Sequence, residues 1–416
     1  MISHIRAVVD LDRVARATGA LVRRNKVRDG EQLCRLALMY GPGGLSLRGT
    51  AALAEEVGIR SLSDKAVLGR LRKCGRLMER ILLALLAARG AEVASAAEGA
   101  GAAASAEASA EELELSLVDG SLICSVRRKN IAWRLHACYD PGRGRFCDLV
   151  VTDTKHAERV DRTRIQAGHV VVMDRGYARV RDFQAVLADQ ADFVTRIGWR
   201  SLRLFNADGQ PVDPLAELPR DGKLCERAVQ VAGVARALRL IIAPLPSEKA
   251  TQQRKKAARK ASKQSRHLDP RTTQAAGYLM LLTSLPAARQ STAAVLSIYR
   301  QRWQIELGFK RLKSLGDIDG LPTADPDLTR TWLLAHLVAA VLTEDLVNQI
   351  LDFSPSGGRR RRPSIWPTYK QAREMIRRAI VPVPMIHDAR RLQRLRHRLA
   401  EPPRKRKLQA YRIRKC

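Results

Sequence analysis

IYRQRWQIELGFKRLKSL, residues 298–315, spaces Tyr299, Arg302, Glu306 and Lys313 so that a helix, and no strand, gathers them on one side. At about 100° per residue the four positions fall within one narrow arc. A lone acid is then framed by an aromatic hydroxyl and two cations. A metal-ligating carboxylate with phosphate-gripping neighbours has such a frame. An exposed helix with an ordinary Arg302–Glu306 pair at i,i+4 has it too, so this segment alone leaves both readings open.

Two upstream segments add weight to the first. LELSLVDGS, residues 113–121, alternates apolar and polar positions and closes on Asp119 and Gly120, which predicts a strand with an acid near its end. HVVVMDRGY, residues 169–177, opens with the continuous β-branched run of a strand buried on both faces and closes on Asp174. Taken singly, an Asp at such a place is a common turn former. Ligands of open α/β sheets bind at the carboxyl ends of strands, so two strand-terminal acids on neighbouring strands converge there. Three carboxylates without a His or Cys cluster favour a hard cation with oxygen ligands, Mg²⁺ or Mn²⁺. Two such ions support in-line displacement at phosphorus.

The helical segment resembles the Tyr-x2-Arg-x3-Glu-x6-Lys signature of DDE transposases of the insertion-sequence-four family. LSLVDGS and VVVMDRGY resemble the segments that hold that family's first two acids, and the flow from LLTSLP at 281–286 to Leu315 matches as well. The resemblance covers roughly residues 113–350. It implies an α/β fold with a ribonuclease H-like core, a mixed sheet with flanking helices, in which Asp119, Asp174 and Glu306 are the catalytic, metal-holding triad. Two Mg²⁺ or Mn²⁺ ions are implied, with Tyr299, Arg302, Lys310 and Lys313 on DNA. Family relatives place an aromatic that stacks on a displaced base just before the LLTS string; Leu279 fills that slot here, which leaves the adjacent Tyr278 as the stacker. Ser121 stands where many relatives have Thr, a conservative departure. The implied reaction is excision of a mobile element by nicking, hairpin formation, hairpin opening and strand transfer, with a homodimer on paired DNA ends. A regulatory or architectural DNA-binding protein, or a metal-dependent DNA nuclease, is the alternative. The three acids argue against the first, and only product analysis separates the second.

Composition points the same way. The 416 residues suffice for two or three domains, and 74 Lys and Arg against 42 Asp and Glu leave a formal charge of +32. Such an excess draws a chain to polyanions through counterion release, a trait shared by ribosome-associated and membrane-surface proteins. The longest apolar run, Trp332–Leu342, is too short to span a bilayer, and the first 30 residues lack the apolar stretch of a signal peptide. A soluble, cytoplasmic, nucleoid-associated protein is expected. The seven cysteines are scattered, without a Cys-x2-Cys pair, which argues against zinc.

The chain is expected to divide as follows. Residues 1–90 read as a helical N-terminal DNA-binding domain, with a break at Gly58 and a helix capped by Ser63 that suggest a helix-turn-helix. Two ordinary packed helices give the same pattern. Residues 91–110, dominated by Ala, Ser, Gly and Glu, read as a partly helical linker. The first part of the catalytic core is placed at 111–198. A β-rich insertion follows at 199–283, with a basic arm at 254–266 that offers Arg254, Lys255 and Lys256 to DNA. The rest of the core is placed at 284–352 and a basic C-terminal region at 353–416. From Arg359 onward 20 Lys and Arg face 3 Asp and Glu, more than half of the whole excess, which should supply affinity with little specificity.

Overall fold

The computed structural model describes residues 1–101, 113–124, 132–219, 222–318, 320–352 and 365–381. Its backbone forms two compact units, one of Met1–Leu85 with the chain from Leu321 onward, the other of Leu86–Gly320.

Five of the six N-terminal helices are short, and four carry a side-chain cap. They are α1 (Ile2–Val8), α2 (Leu11–Ala17), α3 (Gly30–Tyr40), α4 (Leu47–Leu53), α5 (Asp64–Leu71) and the long α6 (Gly75–Gly101). Asp10, Asp29, Ser46 and Ser63 each accept the backbone N–H three residues on, which satisfies a donor that the helix start leaves orphaned. The break expected at Gly58 is there, with φ +78° after a 3₁₀ turn, and Ser63 caps α5 as expected. α6 runs through Gly101, so the first half of the expected linker is helix: its Ala content carries no helix penalty. Residues 102–110 lie outside the described set.

The second unit is built on one sheet. Its strands are β1 (Leu115–Cys124), β2 (Ala132–Asp140), β3 (Arg145–Asp153), β4 (Val170–Met173), β5 (Asp192–Arg196), β6 (Leu204–Phe205), β7 (Pro211–Val212), β8 (Cys225–Val231), β9 (Leu238–Pro244) and β10 (Tyr278–Thr283). The spatial order is β3-β2-β1-β4-β5-β10-β9-β8-β6-β7. β1, β2 and β3 are antiparallel neighbours, whereas β4 runs parallel to both β1 and β5. That order and sense are those of a ribonuclease H-like core. Helix α7 (Val180–Ala188) connects β4 to β5 and covers one face, where Phe183 stacks on Phe193 at 4.6 Å. The other face carries α10 (Thr292–Gln301) and α11 (Trp303–Ser314).

Several expectations change here. The strand read at 113–121 runs on past its acid to Cys124, so Asp119 is mid-strand, because pairing with β2 continues to Cys124↔Ala132. The parallel ladder with β4 nevertheless stops at Val118↔Met173, so Asp119 is the first residue past it. The β-rich insertion continues the core sheet: β10 pairs with the edge of β5, and β9, β8, β6 and β7 extend the same sheet. An unpaired edge of backbone donors and acceptors is the reason a sheet accepts such an extension. Within it α8 (Ser247–Lys263) carries most of the basic run, and α9 (Pro270–Ala275) precedes β10.

The long α12 (Pro326–Asp352) was expected in the catalytic core, yet it packs with α3, α5 and α13 (Ile365–Ile380) in the first unit. Leu333, Leu337, Val338 and Val341 are fully buried there, and the end of α3 approaches so closely that a β-carbon on Gly41 would lie 3.0 Å from that of Ala335. Pro326–Leu351 is long and apolar enough to cross a membrane, unlike the 11-residue run read from sequence, but 72% of its apolar window is buried in the protein. Pro367 sits in the first turn of α13, where proline costs no hydrogen bond. Residues 382–416, with most of the basic tail, lie outside the described set.

Candidate active site

Asp119 and Asp174 meet at the carboxyl end of the β1–β4 ladder. Asp174 directly follows β4 and opens a single 3₁₀ turn, Arg175–Tyr177. Asp119 accepts the Gly120 N–H at 2.8 Å. Burial pushes the Asp119 carboxyl up to about 6, with Asp174 and Glu158 adding to the rise and the Gly120 N–H and Arg302 opposing it.

The signature helix is broken where the charges converge. α10 ends and α11 begins at Arg302, whose N–H bonds three residues back to Tyr299 O, so Tyr299 sits on one helix and Glu306 and Lys313 on the next. A bond of that type tightens the turn and rotates the two pieces relative to a continuous α-helix. Arg302 places Nη2 2.5 Å from Glu306 Oε1 and Nη1 3.8 Å from Asp119 Oδ2. Burial would lower the affinity of this guanidinium for its proton; Glu306, Tyr299 and Asp174 outweigh burial and hold it above the ordinary range. The Tyr299 hydroxyl is raised by burial first and by Asp174 next, against Arg302 and Arg196. Lys313 donates to Leu122 O on β1 at 2.9 Å, and Lys310 is exposed.

α11 is seated by two residues that spacing did not single out. Gly308 leaves no room for a side chain, since a β-carbon would lie 2.9 Å from Phe146 Cζ and 3.3 Å from Tyr139 Cε2. Arg311 is buried and donates to the Tyr139 hydroxyl at 2.5 Å. Glu306 thus stands two residues from a tight helix-sheet contact.

A cleft of about 760 Å³ runs from Asp174 and Arg175 past Arg196, Trp199 and Tyr278 to α8, where Lys256 and Lys260 line it. The Trp199 ring has the guanidinium of Arg200 4.1 Å and that of Arg271 4.4 Å from its centroid. Of the three adjacent cations read as one arm, Lys256 faces this cleft. Arg254 instead reaches toward the backbone at Gly277, and Lys255 is exposed without lining the cleft. Neighbours on a helix point about 100° apart, so three in a row cannot share a face. Trp199 and Glu158 were also missed, because loop residues carry no periodic signal.

The donor chemistry of Asp119, Asp174 and Glu306 suits a hard divalent cation. The arrangement brings the two aspartates together and turns Glu306 to Arg302. Among the described residues no three His, Cys, Asp or Glu side chains lie close enough to hold one ion.

Fold and site together define a ribonuclease H-like protein with carboxylates gathered at the end of its parallel ladder. The family described as Transposase DDE domain matches residues 117–342, just over half of the sequence, and the chain belongs to the DDE transposases. It is 37% identical over 365 residues to the InsL protein of insertion sequence element IS186A of Escherichia coli (strain K12), covering 85% of this chain and 95% of the relative. It is likewise 37% identical over 366 residues to the transposase for insertion sequence element IS421 of Escherichia coli, with the same coverage. A solved structure of the piggyBac transposase synaptic complex with hairpin DNA is similar at a TM-score of 0.39 and 10% identity, over 96% of this chain and 83% of that one. Membership implies DNA as the partner and dependence on a divalent metal.

Proposed function

We propose that this transposase cuts a mobile element from DNA through the triad Asp119, Asp174 and Glu306, which would hold two Mg²⁺ or Mn²⁺ ions. The observation that carries the reading is the meeting of Asp119 and Asp174 at the end of the β1–β4 ladder, with Arg302 linking Asp119 to Glu306. The chemistry that the cations supply when bound is activation of an attacking water or 3′-hydroxyl and stabilisation of the leaving oxygen. The protein's own groups do the rest. Burial disfavours the Asp119 carboxylate, a cost that a bound cation would offset. Arg302, Lys310 and Lys313 grip phosphates beside the scissile bond, and Tyr299 donates its hydroxyl to a backbone oxygen. Tyr278 and Lys256 receive the DNA strand that enters the cleft. The helix pair α4–α5 recognises the element ends, and two copies of the chain act on paired ends in the bacterial cytoplasm, at the nucleoid. The basic chain beyond residue 358 adds affinity.

The test is a labelled element end incubated with the protein and Mg²⁺ and run on a denaturing gel, where a hairpin migrates at about twice the strand length. Asp119→Ala, Asp174→Ala and Glu306→Ala each stop the reaction before the nick while DNA binding persists. Tyr299→Phe, Arg302→Ala and Lys313→Ala accumulate nicked ends with little hairpin, because a sharply bent end crowds phosphates and needs more cationic support than a nick. Full cleavage by a triad variant would refute the assignment. Nicking and joining by the parent protein with no hairpin at any time would replace the pathway by plain nick and transfer.

A further inference from the structure

Two glycines follow the two aspartates closely, and neither is demanded by its backbone conformation. Gly120 is in the middle of β1, Gly176 is in the turn after Asp174, and both have ordinary negative φ. A glycine inside a strand weakens it and marks a place where something approaches closely. Here the same group approaches both. A β-carbon on Gly120 would lie 2.9 Å from Glu158 Cγ and 3.1 Å from its Oε1, and one on Gly176 would lie 3.5 Å from Glu158 Oε2. The Glu158 carboxylate therefore sits between the backbone that bears Asp119 and the backbone that bears Asp174. Arg134 on β2 holds it through Nη1 at 2.7 Å from Oε1, and Arg179 donates to the Glu158 carbonyl at 3.1 Å. Side chains alternate along a strand, so residue 120 faces away from the side to which Asp119 points, and Glu158 stands behind the acids.

We propose that Glu158 is a positioning residue of the transposase, a carboxylate wedge that fixes the separation of Asp119 and Asp174 for cation binding. This rests on the reading that those two aspartates hold the metal. Removing the wedge frees the 175–177 turn to shift against β1, and groups that orient metal ligands in this way typically change metal affinity by about 10–100-fold when lost.

The experiment measures Mn²⁺ binding to the full chain by electron paramagnetic resonance, without turnover, beside a thermal melt of each variant. Glu158→Ala is expected to bind Mn²⁺ about 10–100-fold more weakly, and Glu158→Gln, which keeps the shape, within a few-fold of the parent. Gly120→Ala should show a loss like that of Glu158→Ala, and the double variant should be no worse than Glu158→Ala, since its side-chain conflict is gone. Unchanged Mn²⁺ affinity in Glu158→Ala, or losses that multiply in the double variant, overturns the proposal. A fall in melting temperature with unchanged Mn²⁺ affinity also overturns it, as a purely structural ion pair. Asp119→Ala and Asp174→Ala run beside these: if they leave Mn²⁺ binding intact, the metal site itself is wrong and the wedge falls with it. If they weaken binding and Glu158→Ala does not, only the wedge is wrong.

Discussion

A guanidinium between two carboxylates sets the charge of this site, and Asp119 carries its largest strain. The Asp119 carboxyl is raised from 3.8 to about 6, mainly by burial, so the folded chain binds that proton more tightly than the unfolded one. The stabilisation from this residue is therefore complete below the unfolded value of 3.8 and is lost as pH rises through about 6. A rise of that size corresponds to roughly 3 kcal/mol. Asp119→Asn stays neutral and loses nothing on that ascent. It should melt higher than the parent at pH 8 and converge with it below pH 4, while being inactive, a trade of stability for function common at active sites. Melting curves followed by circular dichroism across this range check the sign; a gap of constant size would show that Asp119 is not the group responsible.

At the scale of elements, the placement of Glu306 depends on how closely α11 approaches β2 and β3. Gly308 makes that approach possible, with Phe146 Cζ 2.9 Å from where a β-carbon would stand. Alanine in a helix is favoured over glycine by about 1 kcal/mol, whereas forcing an extra carbon into a packed core costs about 1–3 kcal/mol. The second effect is the larger here, because the obstacle is the tip of a buried aromatic ring already in contact with Tyr139 and Phe309. Gly308→Ala should lower stability by about 1 kcal/mol in urea titrations and slow cleavage by displacing Glu306. A stabilised Gly308→Ala protein would show that the helix has slack. The elements themselves were largely readable from sequence: the β-branched run of β4, the cap at Ser63 and the turn at Gly58 are local patterns. The break at Arg302 was not, since four residues at helical spacing say nothing of a single tightened turn between them.

At the scale of the whole molecule, charge and core follow different rules. The formal +32 is concentrated beyond residue 358, and deleting the residues after Gly357 should weaken binding to all DNA alike. The dependence of log affinity on log salt should flatten by about 0.9 for each phosphate that the shortened chain no longer neutralises, as measured by titration at several salt concentrations. Loss of discrimination between element ends and random DNA at an unchanged salt slope would instead make the tail a specificity element. α12 shows the opposite case: it was expected in the catalytic core, and its burial lies with α3, α5 and α13. By itself the sequence determined what depends on neighbours a few residues apart: the strands with Asp119 and Asp174, the helical spacing of Tyr299, Arg302, Glu306 and Lys313, the capped N-terminal helices and the polyanionic partner. Only the tertiary structure decided that the insertion extends the sheet, that α12 belongs to the first unit, that Lys256 alone of its trio lines the cleft and that Glu158 stands between the two aspartates. Those outcomes depend on which surfaces bury one another across tens or hundreds of residues, and a periodic pattern records that a face is apolar without recording what it meets.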